Sequence, residues 1–371
     1  MKKIIGILIV GIIIMAVIVI IIIYRKVTLT DEETFPPINI EIENNVKISN
    51  AYYDINNNKN YLISETNDIY LLEDSRVKLY YNGHDAKKIK TFLNLYTLEM
   101  TTPLYNMAVL KTDGSVWYGT SIDELQQYNE LNDIIDIEAM NNCFIALDKH
   151  GTMWIFGESE KNRDTPINDE TEYYRPPEKI ICDKNILKIS CGKYHILALD
   201  ENGDIWTFGI DNEEIQNMNQ KVTSIPNIIE IKAGNAYSLA LDKDGKIYSW
   251  GEVYNGSGLI GITEKSSEQT NVTQNINFAS EPICINFNIN LSSNAIKIDT
   301  IGLTSIAVDK ENNLYFWGVL YKKRWPNGNY LYIPSEITVQ KICQLSSNSK
   351  VFALSNGVLE VEESGTLKLW W

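Results

Sequence analysis

Apolar and polar positions alternate in short runs along most of this chain, and the runs repeat as one phrase. The phrase is apolar-Ala-Leu-Asp, two polar residues, Gly, then a second alternating run closing on aromatic-Gly. Ile145-Ala146-Leu147-Asp148-Lys149-His150-Gly151-Thr152-Met153-Trp154-Ile155-Phe156-Gly157 is one copy, and 197–209 and 239–251 are two more. Residues 306–318 form a fourth, with Asn312 in the Gly place, and 108–119 a fifth that is one residue shorter. Ile137, Ile189, Ile231 and Ile298 stand at a constant distance upstream of the four full-length copies. Alternation rich in β-branched and aromatic residues predicts strands. Asp-x-x-Gly between two such runs predicts a hairpin, because Asp accepts backbone N–H bonds in the turn and Gly tolerates positive φ. Asn312 fits the same place, since Asn visits left-handed backbone at low cost. A further strand precedes each hairpin, as in Ile186-Leu187-Lys188-Ile189 and Ile228-Ile229-Glu230-Ile231. Each unit is then a small antiparallel sheet that cannot bury both faces alone, so the units must stack radially.

A weaker first unit spans 60–72, with Asn67 in the Gly place. The C-terminus offers two registers. In one, 351–370 aligns on 231–250 and sets Gly365 on Gly245; in the other, Phe352-Ala353-Leu354-Ser355-Asn356-Gly357 is the hairpin. Either way there are seven units. The expected fold is an all-β, seven-bladed β-propeller of four-stranded antiparallel blades over residues 45–371, preceded by one N-terminal transmembrane helix.

That helix is read from residues 4–23, which carry no charge, proline or polar side chain and lie between Lys2-Lys3 and Arg25-Lys26. A helix of this length spans about 30 Å of hydrocarbon. The run is apolar all round, unlike an amphipathic core helix. It is also longer than a signal-peptide core and has no small-x-small cleavage site near its end. The expectation is an uncleaved anchor over 1–26, a juxtamembrane linker over 27–44, and a propeller on the extracytoplasmic side of the cell membrane. The basic flanks nearly tie, so that orientation rests on the short N-terminal head staying in the cytoplasm.

The repeat resembles that of the regulator of chromosome condensation family. The family's unit reads strand, Ala-Gly, two residues, His, apolar-Ala-Leu, a polar turn with Gly, then Trp-Gly. Here Ile231-Lys232-Ala233-Gly234-Asn235-Ala236-Tyr237-Ser238-Leu239-Ala240-Leu241 with Ser249-Trp250-Gly251 matches it, as does Cys191-Gly192-Lys193-Tyr194-His195-Ile196-Leu197-Ala198-Leu199. The trailing Asn-x-x-Gly-Gln-Leu-Gly survives only in altered form over 254–261. The resemblance covers most of 45–371 and implies seven blades. It also implies that His195 is a packed side chain bonding backbone, and it raises guanine-nucleotide exchange on a small GTPase as a function. The abundance of Asn, Ile and Lys points to an AT-rich bacterial genome, hence a bacterial, membrane-anchored member.

Charge narrows the partners. The chain carries 48 acidic against 33 basic residues, a net −15, and the body beyond the anchor about −19. Nucleic-acid binding needs a basic face, and Lys322-Lys323-Arg324 is too short to make one. Five cysteines at 143, 182, 191, 284 and 343 show no Cys-x-x-Cys pair and no disulfide framework.

Catalytic signatures are missing. His84, His150 and His195 are the three histidines; none forms a zinc-binding pair, and there is no nucleophile elbow or phosphate-cradling loop. Asp242-Lys243-Asp244-Gly245 lacks the later ligands of a calcium loop. No cofactor or metal is expected, and no enzymatic activity.

Function then falls to loops on a rigid scaffold. Three insertions stand out: 158–179 with Tyr173 and Tyr174, the Asn-rich 252–294, and 319–334 with Tyr321, Arg324, Trp325 and Tyr330. Segments this long inside a compact fold are functional or disordered. The leading expectation is a monomeric, membrane-tethered scaffold that binds a protein, or a cell-surface polymer, through these residues. The alternatives are a guanine-nucleotide exchange factor-like regulator and a proteinaceous inhibitor of a secreted hydrolase such as a β-lactamase.

Overall fold

The computed structural model describes residues 37–42, 46–54, 59–73, 76–93, 105–140, 143–158, 174–211, 214–222, 225–252, 278–286, 291–318, 340–354 and 357–370. They form seven four-stranded antiparallel blades. After β1 (Ile38–Ile42), blade one comprises β2 (Ile48–Asp54), β3 (Lys59–Ser64), β4 (Ile69–Glu73) and β5 (Arg76–Tyr81). Blade two is β6 (Ala86–Leu93), β7 (Tyr105–Lys111), β8 (Val116–Gly119) and β9 (Gln126–Gln127). Blade three is β10 (Ile134–Ala139), β11 (Cys143–Asp148), β12 (Met153–Glu158) and β13 (Tyr174–Ile180). Blade four is β14 (Ile186–Cys191), β15 (His195–Asp200), β16 (Ile205–Asp211) and β17 (Glu214–Val222). Blade five is β18 (Ile228–Ala233), β19 (Tyr237–Asp242), β20 (Ile247–Glu252) and β21 (Phe278–Cys284). Blade six is β22 (Ala295–Ile301), β23 (Thr304–Asp309), β24 (Asn313–Gly318) and β25 (Gln340–Gln344). Blade seven takes β26 (Lys350–Leu354), β27 (Gly357–Val361) and β28 (Leu367–Trp370), and borrows β1 as its outermost strand.

This closure corrects the domain boundary read from sequence. Residues 38–42, assigned to the linker 27–44, pair antiparallel with β28 (Ile38↔Leu369, Ile40↔Leu367) and parallel with β5. The last blade follows the first of the two registers: the turn glycine is Gly365, with φ +90°. Residues 1–36, and with them the expected anchor at 4–23, lie outside the described residues. Among the described residues no helix is long and apolar enough to cross a membrane.

The core lies between blades rather than within them. Seven apolar clusters form, one per blade interface. In each, the apolar residue at the centre of an inner strand meets the second strand of the preceding blade. Ile231 packs with Leu197 and Leu199, Ile298 with Leu239 and Leu241, and Ile137 with Ala108 and Leu110. A single blade therefore has two half-cores, and only the closed ring completes them.

The repeat turn is as rigid as its chemistry predicts. Asp148 Oδ1 accepts the N–H groups of His150 and Thr152, both at 2.9 Å, and Oδ2 accepts the Trp154 indole N–H at 3.1 Å. Asp200 with Trp206, Asp242 with Tyr248 and Asp309 with Tyr315 repeat this pairing. Where the Asp changes, its partner interaction changes too. In blade two Lys111 lies over the Trp117 ring at 4.0 Å, and in blade seven Glu362 pairs with Lys368. The third residue after the Asp place has positive φ in every blade: Asn67, Gly114, Gly151, Gly203, Gly245, Asn312 and Gly365.

Space divides the glycines further. A Cβ on Gly151 would lie 2.8 Å from Ile186 N and one on Gly245 2.8 Å from Ala295 O, backbone of the next blade, whereas on Gly203 the nearest atom is 3.4 Å away. Gly151→Val and Gly245→Val should each cost more than about 2 kcal/mol and Gly203→Val about 1. Asn312→Gly should be neutral or mildly stabilising. Urea unfolding of the four variants checks the order; equal midpoints would refute it.

Candidate functional site

The innermost strands (β2, β6, β10, β14, β18, β22 and β26) pack one against the next around the axis. Each has a sheet partner on its outer side, so its inner backbone edge faces the channel. Side chains from neighbouring blades bond that edge on β10, β18 and β26. Lys87 Nζ donates to Ile135 O at 2.9 Å, Lys188 Nζ to Ile229 O at 2.7 Å, and Lys297 Nζ to Val351 O. Ser190 Oγ accepts from Ala233 N and Asp299 Oδ2 from Ala353 N. An open edge invites another strand, and these bonds occupy it on the three strands they reach.

Direct ion pairs add to the seal. Glu138 receives Lys88 at 2.7 Å and Lys90 at 2.6 Å, and Lys88 also reaches Asp136 at 2.6 Å. Lys232 meets Asp299 at 3.1 Å. Burial opposes charge on Glu138, but Lys88 and Lys90 together hold its carboxyl down to about 2. Burial likewise opposes charge on Asp299 and is outweighed by Lys232 and Lys297. Burial pushes Tyr52 up to about 12 and lowers Lys297. These groups are consumed in joining blades: each charge answers a neighbour, and among the described residues no nucleophile–base pair stands clear of the network.

Sequence reading missed this ring. Its signal is a polar pair around each repeat residue: Lys88-Ile89-Lys90, Asp136-Ile137-Glu138, Lys188-Ile189-Ser190, Glu230-Ile231-Lys232 and Lys297-Ile298-Asp299.

The histidines stay apart. His84 Nδ1 lies 2.9 Å from an oxygen of Asp68, His150 sits in the blade-three turn, and His195 Nε2 lies 3.1 Å from Ser238 Oγ in the next blade. Tyr237 repeats the His195 role one blade on, its hydroxyl on Thr304 O and Ser305 Oγ. Among the described residues no three His, Cys, Asp or Glu side chains are placed to hold a metal, and all five cysteines are free thiols.

Burial holds the His195 imidazole down to about 4. Unfolded, the ring takes its proton near 6.5, so the unfolded chain gains protons first as pH falls. His195 should therefore cost nothing above pH 6.5 and roughly 2–3 kcal/mol by pH 4. His195→Gln should flatten the stability profile between pH 6.5 and 4; an unchanged slope would refute the assignment.

The two ends of the ring differ. Turns between second and third strands, and blade-to-blade connections, share one end, here the turn end. The other, the loop end, carries the first-to-second and third-to-fourth strand connections. Each insertion singled out by sequence contains a third-to-fourth strand connection, bounded by Glu158 and Tyr174, Glu252 and Phe278, and Gly318 and Gln340, while 285–294 of the second is a blade-to-blade connection. The three third-to-fourth strand connections open on one end. Two insertions are shorter than they read, since β13 begins inside 158–179 and β21 lies inside 252–294. Tyr174 begins β13, paired with Glu158. Tyr173, Tyr321, Arg324, Trp325 and Tyr330 lie outside the described residues. Tyr194, 53 % exposed in a connection hydrogen-bonded to Asn235 of blade five, also sits at the loop end.

The regulator of chromosome condensation (RCC1) repeat matches residues 186–216 and 228–258, blades four and five. Blades four and five are RCC1 repeats. No curated protein matches the chain. Among solved structures, human WBSCR16 is similar at 12 % identity over 89 % of this chain and 88 % of its own, with a TM-score of 0.61. Prp20p from Saccharomyces cerevisiae, described with its binding to Gsp1p and histones, aligns at 12 % identity over 84 % of this chain and 81 % of its own, TM-score 0.58. YCF48 bound to a D1 peptide aligns at 10 % identity over 91 % and 96 %, TM-score 0.50. At these identities the likeness is one of fold. Within the two matched blades, His195 and Tyr237 take the interblade role, and an aromatic-Gly pair, Phe208-Gly209 or Trp250-Gly251, lies in the third strand.

Proposed function

We propose that this RCC1-repeat propeller is a non-catalytic binding scaffold, tethered to the cell membrane by residues 4–23, that takes a protein partner at its loop end. The carrying observation is that the three longest insertions all open at that end, while the channel carboxylates Asp136, Glu138 and Asp299 are spent on joining blades. Pro37 also enters at the loop end, because β1 runs parallel to β5 as an outermost strand. Tyr173, Tyr174, Tyr321, Arg324, Trp325 and Tyr330 remain the proposed contacts, with Tyr194 beside them.

Proteinase treatment of intact cells tests the tether and its side. The expected result is cleavage of the propeller from outside, with the chain retained in membranes after carbonate washing. Capture of envelope proteins should weaken when 254–276 is replaced by a short Gly-Ser link and persist when His84 and His150 are changed to Ala. Protection from protease would instead favour an exchange factor-like regulator, the reading that the fold likeness to Prp20p supports. Turnover of a substrate lost with a single carboxylate would overturn the binding role.

A further inference from the structure

The seven large apolar side chains exposed among the described residues include four at a single repeat position. They are Ile135 (39 %), Leu187 (51 %), Ile229 (47 %) and Ile296 (49 %), in blades three to six. Each is the residue skipped by the register shift at the start of its inner strand. Its predecessor and the residue two places on are buried in every case. A bulge re-aims the skipped side chain, and here it turns an aliphatic residue out at the turn-end mouth of the channel. In blades one and two the same bulge carries Ser49 and Lys87. The mouth is therefore an aliphatic crescent completed by polar residues.

Two ammonium groups are set into it. Lys87 reaches across to the carbonyl of Ile135 and Lys188 to that of Ile229, both in exposed contacts. Neither meets a carboxylate among the described residues, although the chain carries a net −15. Asp136 and Glu230, next in sequence to Ile135 and Ile229, are held by Lys88 and Lys232, which leaves Lys87 and Lys188 as ammonium groups bonded to carbonyls beside an aliphatic surface. The four side chains expose on the order of 350–400 Å², the scale of the largest patch on a monomer. That is about half of the ~800 Å² each partner buries in a stable protein pair, which argues against a second copy and for a short segment.

We propose that the turn-end crescent docks a short acidic, aliphatic segment of a partner protein. Aliphatic side chains seat among Ile135, Leu187, Ile229 and Ile296, and flanking carboxylates meet Lys87 and Lys188. The site lies opposite the loop end and stands independently of any partner there.

The test is fluorescence anisotropy of the full chain with three labelled decapeptides of alternating Glu-Leu, Lys-Leu and Glu-Ser. Glu-Leu should bind at least fivefold more tightly than the other two. Leu187→Ser combined with Ile229→Ser should lose at least fivefold of that binding while melting like wild type. Lys87→Gln with Lys188→Gln should weaken binding in 50 mM salt and make little difference in 300 mM salt. On the unaltered chain, a photo-crosslinking Glu-Leu peptide should label fragments that contain the crescent residues. Equal binding of the three peptides, no binding, indifference to the crescent substitutions, or labelling elsewhere would overturn the proposal. Self-association, or flotation with phosphatidylglycerol vesicles, that the Ser pair abolishes would assign the crescent to another occupant and overturn it equally.

Discussion

Replacing Glu138 with Ala should destabilise the ring by about 3 kcal/mol, because it takes a shared carboxylate from two partly buried ammonium groups. Lys88 and Lys90 both point at this carboxylate from the neighbouring blade, and its side chain is 14 % exposed. Lys88 keeps Asp136 as a partner, so Lys90 should suffer most. Changing Lys88 and Lys90 to Met in the Ala background should recover much of the loss, since replacing a whole ionic cluster by apolar groups is often neutral. The pH dependence follows from the direction of the shift. The folded carboxyl sits at about 2, below its unfolded value near 4.3. Its contribution is therefore complete above pH 5 and lost as pH falls through 4 toward 2. Urea unfolding at pH 7 and pH 3 measures both effects; a Glu138→Ala variant as stable as wild type at pH 7 would show that the cluster contributes nothing.

A chain that starts at Val46 should fail to close, while one that starts at Pro37 should melt like the full chain. The difference is β1. Removing it uncovers the cluster containing Ile40, Leu367 and Leu369, and leaves β28 with an unpaired edge. Burial of Ile40 and the lost ladder bonds together amount to roughly 4–5 kcal/mol, and the open edge favours self-pairing. Thermal melting with light scattering on the two truncations separates them. Equal melts would mean that three-stranded closure suffices.

The parts of the fold legible in sequence carry two constraints at once. Second and third strands alternate and are joined by a turn whose Asp and positive-φ residue are chemically specified, so residues 145–157 can be read alone. Outermost strands have neither. Tyr174–Ile180 contains Pro176 and Pro177, which fall within a register shift of an edge strand, where a missing N–H is tolerated. β21 hides in Asn-rich sequence for a similar reason: one long side of it has no strand partner among the described residues. β1 was invisible because its repeat lies at the other end of the chain. The channel charges read as a solvated face, since alternation cannot tell solvent from a wall that exists only after closure.

That closure also fixes an order of events. β1 is the first strand of the propeller to be synthesised, and β28, its antiparallel partner, is the last. Through almost the whole of translation β1 waits beside nothing it can pair with antiparallel. Contacts this distant in sequence close slowly, and the half-built ring exposes apolar faces in the meantime. A chain released early, at any point before Leu367, cannot satisfy Ile40. Completion of the core around Ile40 thus waits on the last strand, and any shorter chain keeps that apolar face open.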